Sequence, residues 1–382
     1  MKIALIVEFG RNYSGGRYHA WMIALSLANN HNVDIYCDNT PIFKKDFKDY
    51  NDTKNLFFHQ INEFKNTQKK YDWSIIVPSR SSMAFYKEII ITSDRIGSKK
   101  CFVNFETPNW YNETFNQKLR YDNLISFLGE NCELCLSSTK ISMDYAKKYF
   151  NKYPNLKHEF CYPSINSIAA KKNISSKTNS LVLITRFGKD AFSKHKNVLN
   201  LDEMFIDQFS GMNFYVIYSG KINEKKYIEK AKKQKINLIF EKSISDDKKF
   251  QIIAKSKFLI FASAFEGFGY PPIEALSVNT HVFVKKLEVL EEVNGENLIY
   301  FDNESFSEIK FKNEIYNKII DYNHYLDFFS VDQYGNRMSL ILEKNYTRVQ
   351  FQKHSFLKHF INFLIKDDFV SKIHYFKKLI FK

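Results

Sequence analysis

Between Phe265 and Leu276 the chain reads FEGFGYPPIEAL, with Glu266 and Glu274 on either side of seven residues that include Gly267, Gly269, Pro271 and Pro272. In a chain with only 12 glycines and 7 prolines among 382 residues, that density marks a backbone shaped for one geometry. Glycine opens positive φ and lets main chain approach a ligand closely, while proline pre-sets φ for the first turn of a helix. With the apolar run FLIFAS before it, the stretch reads as strand, tight loop and helix start, Glu266 falling in the loop and Glu274 in the first helical turn. Open α/β sheets bind ligands outside the carboxyl ends of their strands, so Glu266, Gly267, Phe268, Gly269 and Glu274 are candidate ligand contacts. An acid in a first helical turn also favours the helix dipole with no ligand at all.

A second constellation is TRFGKDAFSKHKN, which puts Arg186 at a strand end and Lys194 and Lys196 just before a helix. A diphosphate leaving group needs such positive charge, because charge-assisted hydrogen bonds that strengthen as the bond breaks lower the barrier. Lys194 competes with Lys196 for the second position, and Lys189 is expected to be a solvated surface residue. In NYSGG the backbone N–H groups of Gly15 and Gly16 could meet a phosphate at a helix start, although a plain β-to-α turn would use the same glycines. Glu106, in NFETPNW, stands at a strand end before Thr107 and Pro108, a candidate functional carboxylate whose alternative is a solvated loop glutamate. Ser79 and Arg80, after WSIIVP, form a weaker pair of the same kind.

The elements that must carry these residues follow from periodicity. KIALIVEF, YSGGRYHAWMIALSLANNH and NVDIYCD read strand, loop with helix, strand, the unit of a parallel sheet with crossover helices. Apolar runs recur at WSIIVPS, KCFVNFE and CELCLSS, and helical spacing follows in TKISMDYAKKYF. SIAAKKNISSKTNS is polar and without periodicity, as linkers are. A second α/β series then runs through SLVLITRFG, NFYVIYSG, INLIFEK, FLIFAS, THVFVKK and NLIYFD, with helical KKYIEKAKKQ and DDKKFQIIAKS between. Two doubly wound, Rossmann-like α/β domains facing a cleft are expected, at 1–166 and 178–340, with a helical tail at 341–382.

Composition narrows the partners. The formal charge is +14, yet only 8 of 56 basic residues are Arg, the side chain that leads in bidentate base and phosphate recognition. Nucleic acid is therefore not an expected partner. A solvated Lys-rich surface accounts for the charge, and attraction to an anionic membrane is the alternative. Five cysteines, an odd number, argue for a reducing compartment. Cys132 and Cys135 sit in an apparent strand, where positions three apart face opposite sides, so buried thiols rather than a shared metal are expected. The first residues suit a strand better than a secretory signal, and eighteen consecutive apolar residues occur nowhere, so neither export nor a membrane span is expected. In the tail, Phe356, Leu357, Phe360, Ile361 and Leu364, then Phe369, Val370, Ile373, Phe376 and Ile380, follow helical spacing, the second set flanked by Lys372, Lys377 and Lys378. Either a helix packed on the body or a basic interfacial helix over 354–382 fits that pattern.

Taken together, SAFEGFGYPPIEAL resembles the EX7E signature of glycosyltransferase family 4, retaining enzymes of the GT-B fold that transfer sugar from a nucleotide-activated donor. The Gly-Gly loop, CYPSIN, LITRFGKDAFSKHKN and LEEVNGENLIYFD fall in the family's order, so the resemblance spans roughly residues 1 to 305. It implies that Arg186 and Lys196 hold the donor diphosphate, Glu266 contacts the donor sugar, Glu274 binds the ribose hydroxyls, and Glu106 stands near the sugar or acceptor. It further implies a cytoplasmic enzyme, peripheral at the inner membrane, that acts on a glycan or lipid-linked acceptor in surface polysaccharide or glycolipid synthesis. The nucleotide sugar is then a substrate, and neither a cofactor nor a metal is expected. Asn279 and His281 stand where the family commonly has Gly and Pro, and Lys285 and Lys286 where small residues often line the donor pocket. A nucleotide-sugar-binding protein without transferase activity, or a GT-B epimerase or phosphorylase, is the alternative.

Overall fold

The structure, a computed structural model of the whole chain, describes residues 1–11, 13–48, 50, 54–78, 83–115, 122–188, 201–301 and 319–366. The chain divides into two compact units, one of Met1–Lys44, Tyr50–Pro163 and the residues from Asp332 onward, the other of Lys45–Asp49 and Ser164–Val331. Residues 332–340, assigned by sequence to the second domain, thus count with the first unit, and a five-residue piece of the N-terminal half counts with the second.

The first unit is built on β1 (Lys2–Val7), α1 (Gly15–Ala28), β2 (Asn32–Cys37), β3 (Leu56–Gln60), β4 (Trp73–Ile76), α2 (Met83–Arg95), β5 (Lys99–Asn104), α3 (Pro108–Phe115), α4 (Asp122–Asn131), β6 (Leu134–Ser137), α5 (Lys140–Tyr149) and β7 (Lys157–Phe160). Its strands are parallel in the order β3-β2-β1-β4-β5-β6-β7. Ile3 to Val7 of β1 are all buried, as a central parallel strand covered on both faces requires. The edge strands β3 and β7 were not legible: LFFHQ carries only three apolar residues in a row and KHEF has no apolar run, and Phe57 is 46% exposed.

Cys132 lies before β6 and only Cys135 is in it, so the opposed-face argument does not apply. Both thiols are free and buried in one apolar cluster, where burial pushes their pKa values up.

The second unit comprises α6 (Ser167–Asn173), β8 (Ser180–Phe187), β9 (Asn213–Gly220), α7 (Glu224–Lys233), β10 (Asn237–Lys242), α8 (Asp246–Lys255), β11 (Phe258–Phe261), α9 (Tyr270–Leu276), β12 (His281–Lys285), α10 (Glu288–Asn294), β13 (Ile299–Phe301) and α11 (Tyr322–Phe328). Its parallel order, β10-β9-β8-β11-β12-β13, is that of a dinucleotide-binding sheet. The supposed linker begins as a helix. Asn166 caps α6 by accepting from Ala169 N at 3.1 Å, and Ala169 and Ala170 are buried beneath it. About two turns with two alanines inside show no measurable period, which hid it.

Two further helices, α12 (Val331–Leu342) and α13 (Lys353–Lys366), follow. In the first unit, Phe356 and Phe360 of α13 pack on the core that holds Phe127, and Glu130 Oε2 accepts from Ser355 Oγ at 2.7 Å and meets His359 Nε2 at 2.9 Å. The packed-helix alternative therefore describes 353–366. The periodic set from Phe369 to Ile380 lies outside the described residues. Buried Lys100 donates to the Val349 carbonyl at 2.6 Å, and Glu133 Oε1 accepts from Val349 N at 2.8 Å, so the chain between these helices is tied to the first sheet. No described helix is long and apolar enough to cross a membrane.

Candidate functional site

In the second sheet the strand order reverses between β8 and β11, and the crevice outside such a reversal is where open α/β sheets take ligands. Arg186 and Phe187 end β8, while the chain leaves β11 into Ala262, Ser263 and the glycine-rich loop. Arg186 is exposed and Glu266 half-buried, so both candidate ligand contacts reach solvent at the carboxyl edge of neighbouring strands. Beside Arg186, Thr185 Oγ1 is buried with no hydrogen-bond partner, a polar atom that sequence reasoning missed. Ser263 Oγ donates to the Phe265 carbonyl at 3.1 Å and starts the loop. Phe265 and Phe268 are buried, and the Phe268 ring meets Tyr270 edge-on at 5.1 Å. The loop is thereby pinned by its aromatics while Glu266 and Gly267 remain partly accessible.

Gly269 closes the loop at φ +88°, in the left-handed region, as the N-cap of α9. A Cβ there would stand 2.4 Å from Leu290 Cδ2, so glycine is required twice, by conformation and by space. Pro271 and Pro272 follow in the first turn, as expected.

Glu274 departs from expectation. It is the fifth residue of α9, past the first turn, so the simple dipole account of it falls. Its side chain is 2% exposed, and its Oε1 accepts from Lys249 Nζ at 2.7 Å. Lys249 in turn lies 2.8 Å from Asp246 Oδ1 in the first turn of α8. Burial pushes the Glu274 carboxyl up from its ordinary range, and Lys249 opposes that shift. The Lys45–Asp49 piece adds Asp46, whose carboxyl is raised by burial and by Asp246, and whose carbonyl accepts from Asn166 Nδ2 at 3.1 Å. Lys249 was missed by sequence reasoning, although the signal existed. Asp246, Lys249, Phe250 and Ile253 share the helical spacing of a buried face, and a lysine there needs a partner.

Lys194 and Lys196, with Lys189, lie outside the described residues, as do Ser79 and Arg80.

The first unit carries the other candidates. Gly15 and Gly16 are not loop residues; they open α1, capped by Ser14 Oγ, which accepts from Arg17 N at 3.3 Å. Gly16 has a steric reason to be glycine, since a Cβ would be 3.3 Å from the Phe105 ring, while Gly15 has open space. Glu106 is half-buried just beyond β5, and next to it Thr107 Oγ1 is fully buried without a hydrogen-bond partner. His19, one turn into α1, contacts Tyr334 Oη at 2.8 Å, and burial holds its pKa down at about 3, so it stays neutral. Among the described residues no group of three or more His, Cys, Asp or Glu side chains is placed to hold a metal ion.

Two parallel, doubly wound sheets in tandem are the GT-B architecture of glycosyltransferases. Residues 166–316 match the family model described as glycosyl transferases group 1, and that stretch contains β8, β11 and the whole Glu266–Glu274 loop and helix. The chain is 25% identical over 237 residues to the O-antigen chain mannosyltransferase RfbU of Salmonella typhimurium, across 59% of this chain and 64% of that one. A 72-residue stretch, 19% of this chain and 9% of the relative, is 39% identical to the serotype-specific mannosyltransferase WbdA of Escherichia coli. The chain thus spans less than two thirds of the length of these curated relatives. Among solved structures, Anabaena HepE in complex with UDP and glucose superposes with a TM-score of 0.60 at 13% identity, over 90% of this chain and 99% of that one.

Proposed function

We propose that the protein is a retaining glycosyltransferase of family 4 that moves a sugar from a nucleotide-sugar donor to a glycan or lipid-linked acceptor in surface polysaccharide synthesis. The observation that carries this reading is that exposed Arg186, at the end of β8, and the Glu266–Gly269 loop, after neighbouring β11, both lie at the carboxyl edge where the strand order reverses, within the segment that matches the group 1 family. The O-antigen and serotype-specific mannosyltransferases support the class of product. UDP and glucose bound to HepE support the class of donor. Arg186, with Lys196 or Lys194 as the second cation, neutralises charge developing on the leaving diphosphate. Glu266 orients the donor sugar, Glu274 accepts from the ribose hydroxyls, and Gly267, Phe268 and Gly269 shape the backbone that lies against the donor. Gly15, Gly16 and Glu106 line the acceptor-side unit. Retention has the acceptor hydroxyl attack from the face that the diphosphate leaves, a phosphate oxygen taking its proton. No side-chain base is then needed.

The test has two stages. Nucleotide sugars at about 100 times their dissociation constant stabilise the folded protein by roughly 2.7 kcal/mol, so a thermal-shift panel should identify the donor. Proton NMR of the transfer product should then show the anomeric configuration of the donor kept. A panel without any shift removes the donor site, and an inverted linkage removes the retaining assignment.

A further inference from the structure

We propose that Lys249 is a positioning residue of the donor site, one that holds the Glu274 carboxylate charged and oriented to accept hydrogen bonds from the ribose of a nucleoside diphosphate. The inference deepens the reading above and rests on it.

The geometry is a relay of three buried side chains on two helices. Lys249 Nζ, on α8, reaches Glu274 Oε1 at 2.7 Å and Asp246 Oδ1 at 2.8 Å, and the side chains of Lys249, Asp246 and Glu274 are 10%, 7% and 2% exposed. Asn166 Nδ2 approaches Asp246 Oδ2 at 3.5 Å from the far side. A carboxyl this deeply buried without a cation nearby takes up a proton, and its OH then becomes a donor. A ribose hydroxyl that must donate finds no acceptor of full strength there. With the ammonium on Oε1 the group stays an anion, and Oε2 keeps its lone pairs for hydroxyls. Asp246 fixes the ammonium and adds a second negative charge, so Lys249 is balanced on both sides. Among the described acidic groups about this cluster, Asp246 pushes the Glu274 carboxyl up, so the opposing pull of Lys249 is what favours the anion, and Lys249 acts on Asp46 in the same direction.

A staple joining α8 to α9 for stability alone would show the same contacts. The two roles differ in what they do to ribose selectivity. Isothermal titration of the full chain with UDP and 2′-deoxy-UDP, and with GDP and 2′-deoxy-GDP as a second pair, reads that selectivity directly. The unaltered protein is expected to prefer the ribonucleotide about tenfold or more, the range of a hydrogen bond to a charged acceptor. Lys249→Met alone would leave two buried carboxylates uncompensated, so it is combined with Asp246→Asn. In that double variant the ribo/deoxy ratio should fall to within about twofold of unity, through weaker ribonucleotide binding with deoxynucleotide binding unchanged. Glu274→Gln should behave alike, and Lys249→Arg should keep most of the preference. A double variant that retains the wild-type ratio, or that loses affinity for both nucleotides equally, would overturn the positioning role. Wild-type protein that binds nucleotides without ribose preference overturns it too, while leaving the donor site standing. Protein that binds none of the four overturns both.

Discussion

Gly269→Ala isolates the backbone geometry on which the loop depends. At φ +88° and ψ 66° an alanine adopts a left-handed conformation that costs about 1–2 kcal/mol. Its Cβ would also lie 2.4 Å from Leu290 Cδ2, and Leu290 is fully buried on α10, so the clash must be relieved by repacking at about 1–3 kcal/mol. The sum is a destabilisation of roughly 2–5 kcal/mol, confined at first to α9 and α10. A chain of two units need not unfold in one step. The assay is therefore hydrogen exchange of peptides covering 270–294, alongside urea unfolding. The clash component is separable by a double-mutant cycle. Leu290→Ala alone should cost about 2–5 kcal/mol for its cavity. Combined with Gly269→Ala, the total should fall short of the sum by about 1–3 kcal/mol, because the shortened side chain makes room for the new methyl. A Gly269→Ala protein within 0.5 kcal/mol of wild type in exchange protection, or strict additivity in the cycle, would refute the reasoning.

Arg186→Ala should lower turnover by roughly a hundredfold or more, equivalent to about 3 kcal/mol of transition-state stabilisation, with the melting temperature nearly unchanged because the side chain is exposed. Gly15→Ala should be neutral or stabilise by up to about 1 kcal/mol, having open space, whereas Gly16→Ala must displace the Phe105 ring and should destabilise; parallel urea titrations compare the two. Acid should unfold the first unit early. Burial lowers His19 from 6.5 to about 3 and His158 to about 4, so the unfolded chain binds more protons below 6.5, and stability present above that value is lost as pH falls. Fully buried His19 accounts for about 2 kcal/mol of the loss between pH 7.5 and 5 and the partly exposed, solvent-screened His158 for less, and His19→Gln should remove the larger share in urea titrations at the two pH values.

The sheet cores were legible because central parallel strands such as IALIV and FLIF are buried on both faces and carry continuous apolar runs. Strands β3 and β7 were not, since an edge strand buries little and its sequence records little. The exposed half of the site was legible too: Arg186 is one of 8 arginines, and two glycines among 12 stand within three residues of one another in the loop. What escaped was the buried half. Glu274 could be picked out by spacing, but its depth and its cation could not, because the partner lies 25 residues earlier on another helix. A buried ion pair is a tertiary fact: the spacing of Asp246, Lys249, Phe250 and Ile253 marks a buried face, but not which carboxylate meets the lysine. The domain limits suffered for the same reason, since the Lys45–Asp49 piece and the chain beyond Asp332 belong with units remote from them in sequence.

The contrast between Arg186 and Glu274 has a further consequence. Arg186 is exposed, so water solvates its charge, and in the proposed role its attraction for a diphosphate would act through solvent and its ions. Glu274 is desolvated during folding and compensated then by Lys249, so its orientation is preorganised before any ligand binds. Salt should therefore separate them. From 0.1 to 1 M the Debye length falls from about 10 to about 3 Å, which weakens the pull of an exposed cation on a diphosphate and leaves a buried ion pair nearly untouched. UDP affinity measured by calorimetry should drop across that range, and the drop should shrink in Arg186→Ala. The ratio of UDP to 2′-deoxy-UDP affinity should stay constant within about twofold in wild-type protein, because short hydrogen bonds to a buried carboxylate are screened little. A ratio that collapses with salt would place the ribose contact in solvent-accessible electrostatics, and Glu274 with its buried lysine would not be its source.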